Sequence, residues 1–250
     1  EGFVPYFNTI ATFLTRRNFE QNIIDLGLHK LPVRLIGNGG GLVYAPLGPT
    51  HQAIEDIAIM KTIPNMMIIA PCDANEMEKI MPQTVNVNGP IYIRLARGGD
   101  KIVTEKIKNI KIGKAILFEN PKDVLFVTTG IMTQECLEVV DILKKINIKA
   151  GVLHNGTVKP FDEKSLIKAS EKAKLIVTVE EHIVSGGLGS LVLEILNKKN
   201  SQSINKVHRI GINNVFVKKY GSQRDLLDYC GISAKKILSI VIKKLNEKKY

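Results

Sequence analysis

The sequence predicts an α/β fold of two tandem doubly wound domains, each built on a mostly parallel sheet. Three observations predict it. Short, nearly continuous runs rich in Val and Ile alternate with amphipathic stretches, the pattern of strands covered by helices on both faces. The 250 residues, 44% hydrophobic and 24% charged, suffice for two domains of roughly 100–150 residues. A polar segment, Thr104–Lys111 with Gly113 after it, breaks the alternation. This places one domain over 1–103, a linker over 104–113 and a second domain over 114–250.

The expected strands are Val33–Gly37, Met66–Ala70, Ile91–Leu95, Val124–Thr128, Ala150–His154, Leu175–Glu180 and Lys206–Gly211. Between them fall helical patterns at Asn18–His29, Thr50–Thr62, Ala74–Val85, Thr133–Lys144, Glu163–Lys172, Gly187–Leu196 and Ser233–Glu247. In the last, Ile237, Leu238, Ile240, Val241 and Leu245 share one face. Thr50 reads as the N-cap of its helix, which puts His51 in the first turn.

Composition excludes several classes. With 20 Gly, 10 Pro and no Trp, the chain is neither disordered nor collagen-like. No apolar run reaches the roughly 18–20 residues of a membrane helix, so no membrane partner is expected. Cys72, Cys136 and Cys230 are odd in number and form no CxxC motif, which favours a reducing, cytoplasmic setting. The chain opens on Glu1 and is at once apolar at Phe3–Tyr6; further residues upstream are expected. Residues 1–101 hold nine basic and nine acidic residues, so the net +11 falls on the remainder. Its lysines come as scattered pairs such as Lys144–Lys145 and Lys243–Lys244, with little aromatic interleaving. That is the pattern of solvated helix faces, not of a nucleic-acid groove.

Gly37–Asn38–Gly39–Gly40–Gly41 follows a buried strand, where glycines let the backbone bend and approach a ligand. Leu42 stands where a dinucleotide fingerprint needs glycine, so that reading is poor. His51, in Gly48–Pro49–Thr50–His51–Gln52, falls near the strand carboxyl ends where open α/β sheets bind ligands. It reads equally as a helix-start residue and as a donor or proton carrier. Arg97, after strand Ile91–Leu95 and before Gly98–Gly99, is placed either to fork onto a phosphate or to pair with Asp100. Arg94, within that strand, is expected to pair structurally. Phe13 alone reads as core. Glu180–Glu181–His182 with Ser185–Ser190 reads as a turn against a neighbouring domain or subunit, not a metal site. Cys72 and Cys136 lack a neighbouring His or Lys and read as buried spectators.

Thr9–Phe13, Gly48–Gln52, Ile63–Met66, Ala70–Asp73 and Gly89–Arg97 together resemble the pyrimidine-binding domain of the transketolase family. Val158–Asp162 and Val179–Glu181 through Gly186–Gly189 resemble its carboxyl-terminal domain. The resemblance covers essentially the whole chain. It implies an enzyme using thiamin diphosphate and Mg²⁺ that carries a two-carbon unit from a ketose phosphate to an aldose. It also implies a separate pyrophosphate-binding domain on a partner chain, hence the carboxyl-terminal subunit of a split transketolase, in a homodimer or heterotetramer. By the same resemblance Phe13 stacks on the aminopyrimidine and Arg16 lies near the cofactor or substrate entrance. His51 hydrogen-bonds the donor, Arg97 grips the sugar phosphate, and Asn38 falls about where the family has a phosphate-binding histidine. No metal ligand is carried over.

The sequence departs from the family pattern at three places. Leu47 stands where typical transketolases have an aspartate that reads an acceptor hydroxyl, which implies altered acceptor preference. Ile10 replaces one aromatic of the pyrimidine pocket. The glutamate that protonates the pyrimidine lies upstream of Phe13 in the family, and Glu1 is too close to serve. Alternatives are 1-deoxyxylulose-5-phosphate synthase, a 2-oxoacid dehydrogenase beta subunit, and a non-catalytic partner subunit.

Overall fold

A computed structural model describes residues 2–247; Glu1 lies outside them. Two five-stranded sheets form the molecule. The front sheet has the order β1-β2-β4-β3-β8, with β1 Tyr6–Ile10, β2 Arg34–Asn38, β3 Met67–Ile69, β4 Ile91–Leu95 and β8 Thr157–Lys159. The back sheet has the order β10-β9-β6-β7-β5, with β5 Ile116–Phe118, β6 Val124–Thr128, β7 Ala150–His154, β9 Leu175–Ile183 and β10 Val207–Ile212. All pairs are parallel except β3–β8 and β5–β7. The expected mostly parallel α/β architecture is therefore observed. Strands β1, β5 and β8 are additions to the sequence reading. The first is an edge strand with Tyr6 and Phe7 exposed, and the other two are three residues long.

Helices pack both faces. The first helical run, α1, joins Phe13–Arg17, Phe19–Gln21 and Asn22–Leu28. Its first and last segments are widened to π geometry. Side chains intrude there: Thr15 Oγ1 donates back to Ala11 O at 2.7 Å and Asn22 Nδ2 to Leu14 O at 2.9 Å, competing with the regular ladder. The others are α2 Asp56–Lys61, α3 Ala74–Thr84, α4 Met132–Lys145, α5 Glu163–Lys172, α6 Leu188–Lys199, α7 Gln223–Tyr229 and α8 Ala234–Glu247. The helix expected from Thr50 starts six residues late. Thr50 and His51 lie in a turn, and Ala53 is drawn into bridges with Gly40 and Gly41, so the chain turns and bridges where the helix was expected to begin. Helix α7, unforeseen, opens on a capping box in which Ser222 and Asp225 satisfy each other's backbone.

Two features join front to back. Strand β8, which follows β7 of the back sheet, leaves it and adds antiparallel to β3 of the front sheet, Ile68 opposite Lys159. In addition, Leu42, Ala45 and Ile54 are buried in the same apolar cluster as Phe126, Val177 and Val217 of the back sheet and its loops. The loop between β2 and α2 is thus core to the back half.

One buried charge is structural. Arg34, with no exposed surface, donates to Thr84 O at 2.5 Å, Val87 O at 2.8 Å and Gly89 O at 2.9 Å. It satisfies carbonyls that the end of α3 and the following loop leave orphaned.

Candidate functional site

The carboxyl ends of β1, β2 and β4 open on one edge of the front sheet, the place where open α/β sheets receive ligands. Chain leaving β1 delivers Phe13 and Arg16, chain leaving β2 delivers Asn38 and the glycine loop, and chain leaving β4 delivers Arg97. The loop Ala45–His51 completes the edge.

These residues fall into two groups. In the first, Phe13 and His51 meet edge to face, ring centroids 5.1 Å apart at 68°. The Arg17 guanidinium lies 4.4 Å from the Phe13 centroid, a cation–π contact. Phe13 is half-buried and faces His51 rather than the interior. The His51 ring is oriented through Nδ1, 2.9 Å from Thr50 Oγ1. Arg16 pairs with Glu55, Nε to Oε1 2.5 Å, and donates through Nη2 to Gln52 O. Burial raises the Glu55 carboxyl, with Arg16 opposing. Both amide atoms of Gln52 are buried without a partner.

In the second group, Asn38 and Arg97 line one cavity of about 640 Å³ with Met77, Met81 and Leu95. Asn38 Nδ2 donates to Asn8 Oδ1 at 2.5 Å. Arg97 is exposed and, among the described residues, forms no ion pair with Asp100. Among the described residues, no hydrogen bond or ion pair joins this group to the first.

Behind the edge runs a buried polar seam. Arg94 Nε meets Asp56 Oδ2 at 2.7 Å, and Tyr92 donates its hydroxyl to the same oxygen at 2.7 Å, so Arg94 pairs structurally, as expected. Glu181 accepts from Leu42 N at 2.9 Å and from Gln223 Nε2 at 2.8 Å. Gly41, at φ +74°, cannot carry a side chain, since a Cβ would lie 2.4 Å from the Glu181 carboxylate. Glu180 accepts from the N–H groups of Leu188 and Gly189 at 2.7 and 2.9 Å, and His182 Nε2 accepts from Ala58 N at 3.2 Å. The three residues lie in β9 rather than in the expected turn; Glu181 and His182 pack against the front half, while Glu180 holds the start of α6.

The environment of Cys72 needs a correction. Sequence places no histidine beside it, yet folding brings Cys72, Glu76 and His154 within 4.8 Å of one another. His154 Nε2 lies 2.8 Å from Glu76 Oε2, which also accepts from Cys72 N at 2.7 Å. His154 Nδ1 reaches Thr133 Oγ1 at 2.7 Å. Burial foremost, with the Glu76 charge, pushes the Cys72 thiol far up, so it remains a thiol and a poor nucleophile. Sequence missed this trio because His154 stands 78 positions from Glu76 and 82 from Cys72.

Fold and seam together define a chain made of two α/β domains locked through β8 and the glycine loop. The profile of the transketolase pyrimidine binding domain matches residues 1–99, and that of the transketolase C-terminal domain matches residues 113–237. A transketolase family protein, y4mN, of Sinorhizobium fredii is 36% identical over 249 residues, 99% of this chain and 71% of its own. A 1-deoxy-D-xylulose-5-phosphate synthase of Caldanaerobacter subterraneus is 34% identical over 99% of this chain, which spans only 39% of that enzyme. Among solved structures, a split gene transketolase in an inactive beta4 tetramer aligns with a TM-score of 0.86 and 32% identity, covering 97% of this chain and 77% of that one. The chain belongs to the transketolase family, whose members generally depend on thiamin diphosphate. Among the described residues, no helix is long and apolar enough to cross a membrane.

Proposed function

We propose that the chain is the carboxyl-terminal subunit of a split, thiamin diphosphate-dependent transketolase that moves a two-carbon ketol unit between sugar phosphates. The observation that carries this reading is the Phe13–His51 contact at the sheet's carboxyl edge, which couples an aromatic wall for a flat heterocycle to a proton-bearing ring.

The residues present fit one part of the cofactor. Phe13 offers a half-buried ring for a pyrimidine. Glu55 is engaged by Arg16 and is not free to hold a metal; the family resemblance assigns the diphosphate and Mg²⁺ to a partner chain carrying the pyrophosphate-binding domain. When bound, thiamin diphosphate supplies a nucleophilic carbon and an electron sink for carbon–carbon cleavage. The chain's own residues bind and orient. Thr50 holds His51 by Nδ1, which leaves Nε2 to exchange a hydrogen bond or proton with a substrate hydroxyl. Arg97, exposed beside two glycines, forks onto a sugar phosphate, and Asn38 supplies an amide on the same cavity. The assembly is then a homodimer or a heterotetramer.

The test is reconstitution with the candidate amino-terminal partner, thiamin diphosphate and Mg²⁺, assaying two-carbon transfer from xylulose 5-phosphate to ribose 5-phosphate. Activity that requires both chains supports the reading. The synthase relative favours a second reading, 1-deoxyxylulose-5-phosphate synthesis. Product from pyruvate and glyceraldehyde 3-phosphate, with no ketol transfer, would select it. Complex formation with neither activity would favour a non-catalytic subunit.

A further inference from the structure

Cys72, Glu76 and His154 take no part in the transfer proposed above, yet three separate segments bring them together. Cys72 follows β3, Glu76 stands in the first turn of α3, and His154 ends β7 of the back sheet. They are 0, 1 and 0% exposed. The Cys72 sulfur, one Glu76 carboxylate oxygen and one His154 ring nitrogen all lie within 4.8 Å of one another. The backbone around them is pinned across the two halves. Ala70 N donates to Gly156 O at 2.8 Å, Gly130 N to Ala70 O at 3.0 Å and Gln134 Nε2 to Cys72 O at 2.7 Å. Gly156 leaves the room the trio needs, since a Cβ there would run into Glu76 Oε1 and come within 3.1 Å of His154 Nε2.

We propose that Cys72, Glu76 and His154 bind one divalent transition-metal ion of the zinc class, and that this ion staples the front half of the molecule to the back. Sulfur and imidazole donors suit zinc and its neighbours and are poor ligands for Mg²⁺ or Ca²⁺. The charges balance: a thiolate and a carboxylate neutralise a dication, so the buried site carries no net charge. The donors are already oriented. His154 Nδ1 lies 2.7 Å from Thr133 Oγ1, which lies 2.8 Å from Thr128 Oγ1. With Nδ1–H donating to Thr133, the Nε2 lone pair faces Glu76, the arrangement that outer partners impose on metal-ligating histidines. Cys72 N holds the Glu76 carboxylate at 2.7 Å. The 2.8 Å between His154 Nε2 and Glu76 Oε2 opens by roughly half an ångström to span a tetrahedral ion with bonds of about 2.0–2.2 Å. On binding, the Cys72 thiol gives its proton to solvent and ligates as thiolate. Cys72 also belongs to the wall of the 640 Å³ cavity shared by Asn38 and Arg97, which gives the ion, and a water as fourth ligand, a way in.

The experiment strips the chain with a chelator and offers Co²⁺, then Zn²⁺, both to the folded chain and during refolding from urea. One ion per chain is expected, with a sulfur-to-cobalt charge-transfer band and the visible absorption of tetrahedral cobalt, both erased when Zn²⁺ displaces it. Zn²⁺ at about 100 times its Kd should raise Tm by roughly 5–10 °C, and Mg²⁺ should not. Cys72→Ala should abolish the charge-transfer band, while Cys230→Ala leaves it unchanged. Thr133→Val should weaken binding about 10–100-fold through the freed imidazole, and His154→Ala and Glu76→Gln by more. X-ray absorption of the zinc-loaded wild-type chain, which needs no variant to fold, should show a single sulfur with nitrogen and oxygen neighbours. Absence of stoichiometric uptake by either route would overturn the proposal and leave a buried Glu–His pair beside a thiol. So would zinc held by nitrogen and oxygen alone, a band that follows Cys230 rather than Cys72, or an equal rise in Tm for Cys72→Ala. None of these readouts involves sugar turnover, so the proposal stands or falls apart from the transfer reaction.

Discussion

Arg94, in β4 of the front sheet, donates through Nη2 to the backbone oxygen of Glu181, in β9 of the back sheet, at 3.0 Å. The same guanidinium holds Asp56 at 2.7 Å and reaches Ala53 O at 3.2 Å. One side chain therefore ties the strand behind the candidate site, the start of α2 and the other half of the molecule. Burial works against its charge, but Asp56 and Glu181 keep it protonated.

Arg94→Met leaves the Asp56 carboxylate buried beside Tyr92 without its cation. We expect a loss of about 3–5 kcal/mol in stability, the cost of stranding one member of a buried pair. Urea unfolding measures it. Arg94→Lys should recover only part, because a point charge cannot serve three oxygens in fork geometry. A loss below 1 kcal/mol would show that the seam does not bind the halves together.

Burial pushes the carboxyls of Glu180 and Glu181 up to about 7, although each accepts hydrogen bonds from the backbone and Glu181 also faces Arg94. In the unfolded chain both titrate near 4.3. Between these values the folded chain holds protons that the unfolded chain gives up, so stability falls as pH rises from about 4.5 to 7. Glu181→Gln keeps an acceptor for Leu42 and removes one of the two titrations. The fall of Tm between pH 5 and pH 8 should shrink to roughly half in the variant; an unchanged fall would remove Glu181 from the linkage.

Much of this arrangement was legible because α/β patterning is local. Runs such as Val124–Thr128 and Ala150–His154 are apolar throughout and became strands at those bounds. Thr157–Lys159 was not legible as a strand. It is three residues between Gly156 and Pro160, and its pairing partner, β3, lies nearly 90 positions earlier. The helix expected from Thr50 failed for a related reason. Gly–Pro–Thr is a helix-start signal, but Gly41 and Ala53 pair with each other, and the chain turns and bends through this bridge until α2 begins at Asp56. Of the candidate site, Phe13, Arg16 and His51 came from short motifs and do gather on one loop edge. Glu55, Gln52 and Tyr220 were missed, since what places them is the Arg16 contact and the packing of the back half on Gly48. An apolar Leu47 was visible in sequence; that an aromatic ring from position 220 packs on Gly48 next to it in the chain was not.

Arg97 projects from Gly98–Gly99, both at positive φ, with no ion-pair partner among the described residues. Arg97→Ala should raise KM for phosphorylated sugars about 10–100-fold, the worth of a charge-assisted pair, with kcat little changed. Phosphate-free acceptors serve as the control. An equal rise for both kinds of substrate would remove the phosphate role and leave Arg97 as a wall of the cavity it shares with Asn38.

His51 differs from Arg97 in kind, because its ring is held from two sides: Thr50 at Nδ1 and the Phe13 ring in an edge-to-face contact. Such restraint fixes the direction of Nε2, which matters for proton exchange and little for binding. His51→Ala should therefore lower kcat about 10–1000-fold with KM nearly unchanged, and with the fold intact because the ring is only half-buried. Thr50→Val should give a smaller loss, about tenfold, since the imidazole remains but its tautomer and direction are freed. If His51→Ala instead raised KM and left kcat alone, the ring would be a binding contact. If Thr50→Val cost as much as His51→Ala, the turn would be at fault rather than the proton. Steady-state kinetics of the two variants in the reconstituted complex, with circular dichroism to confirm the fold, separates these outcomes.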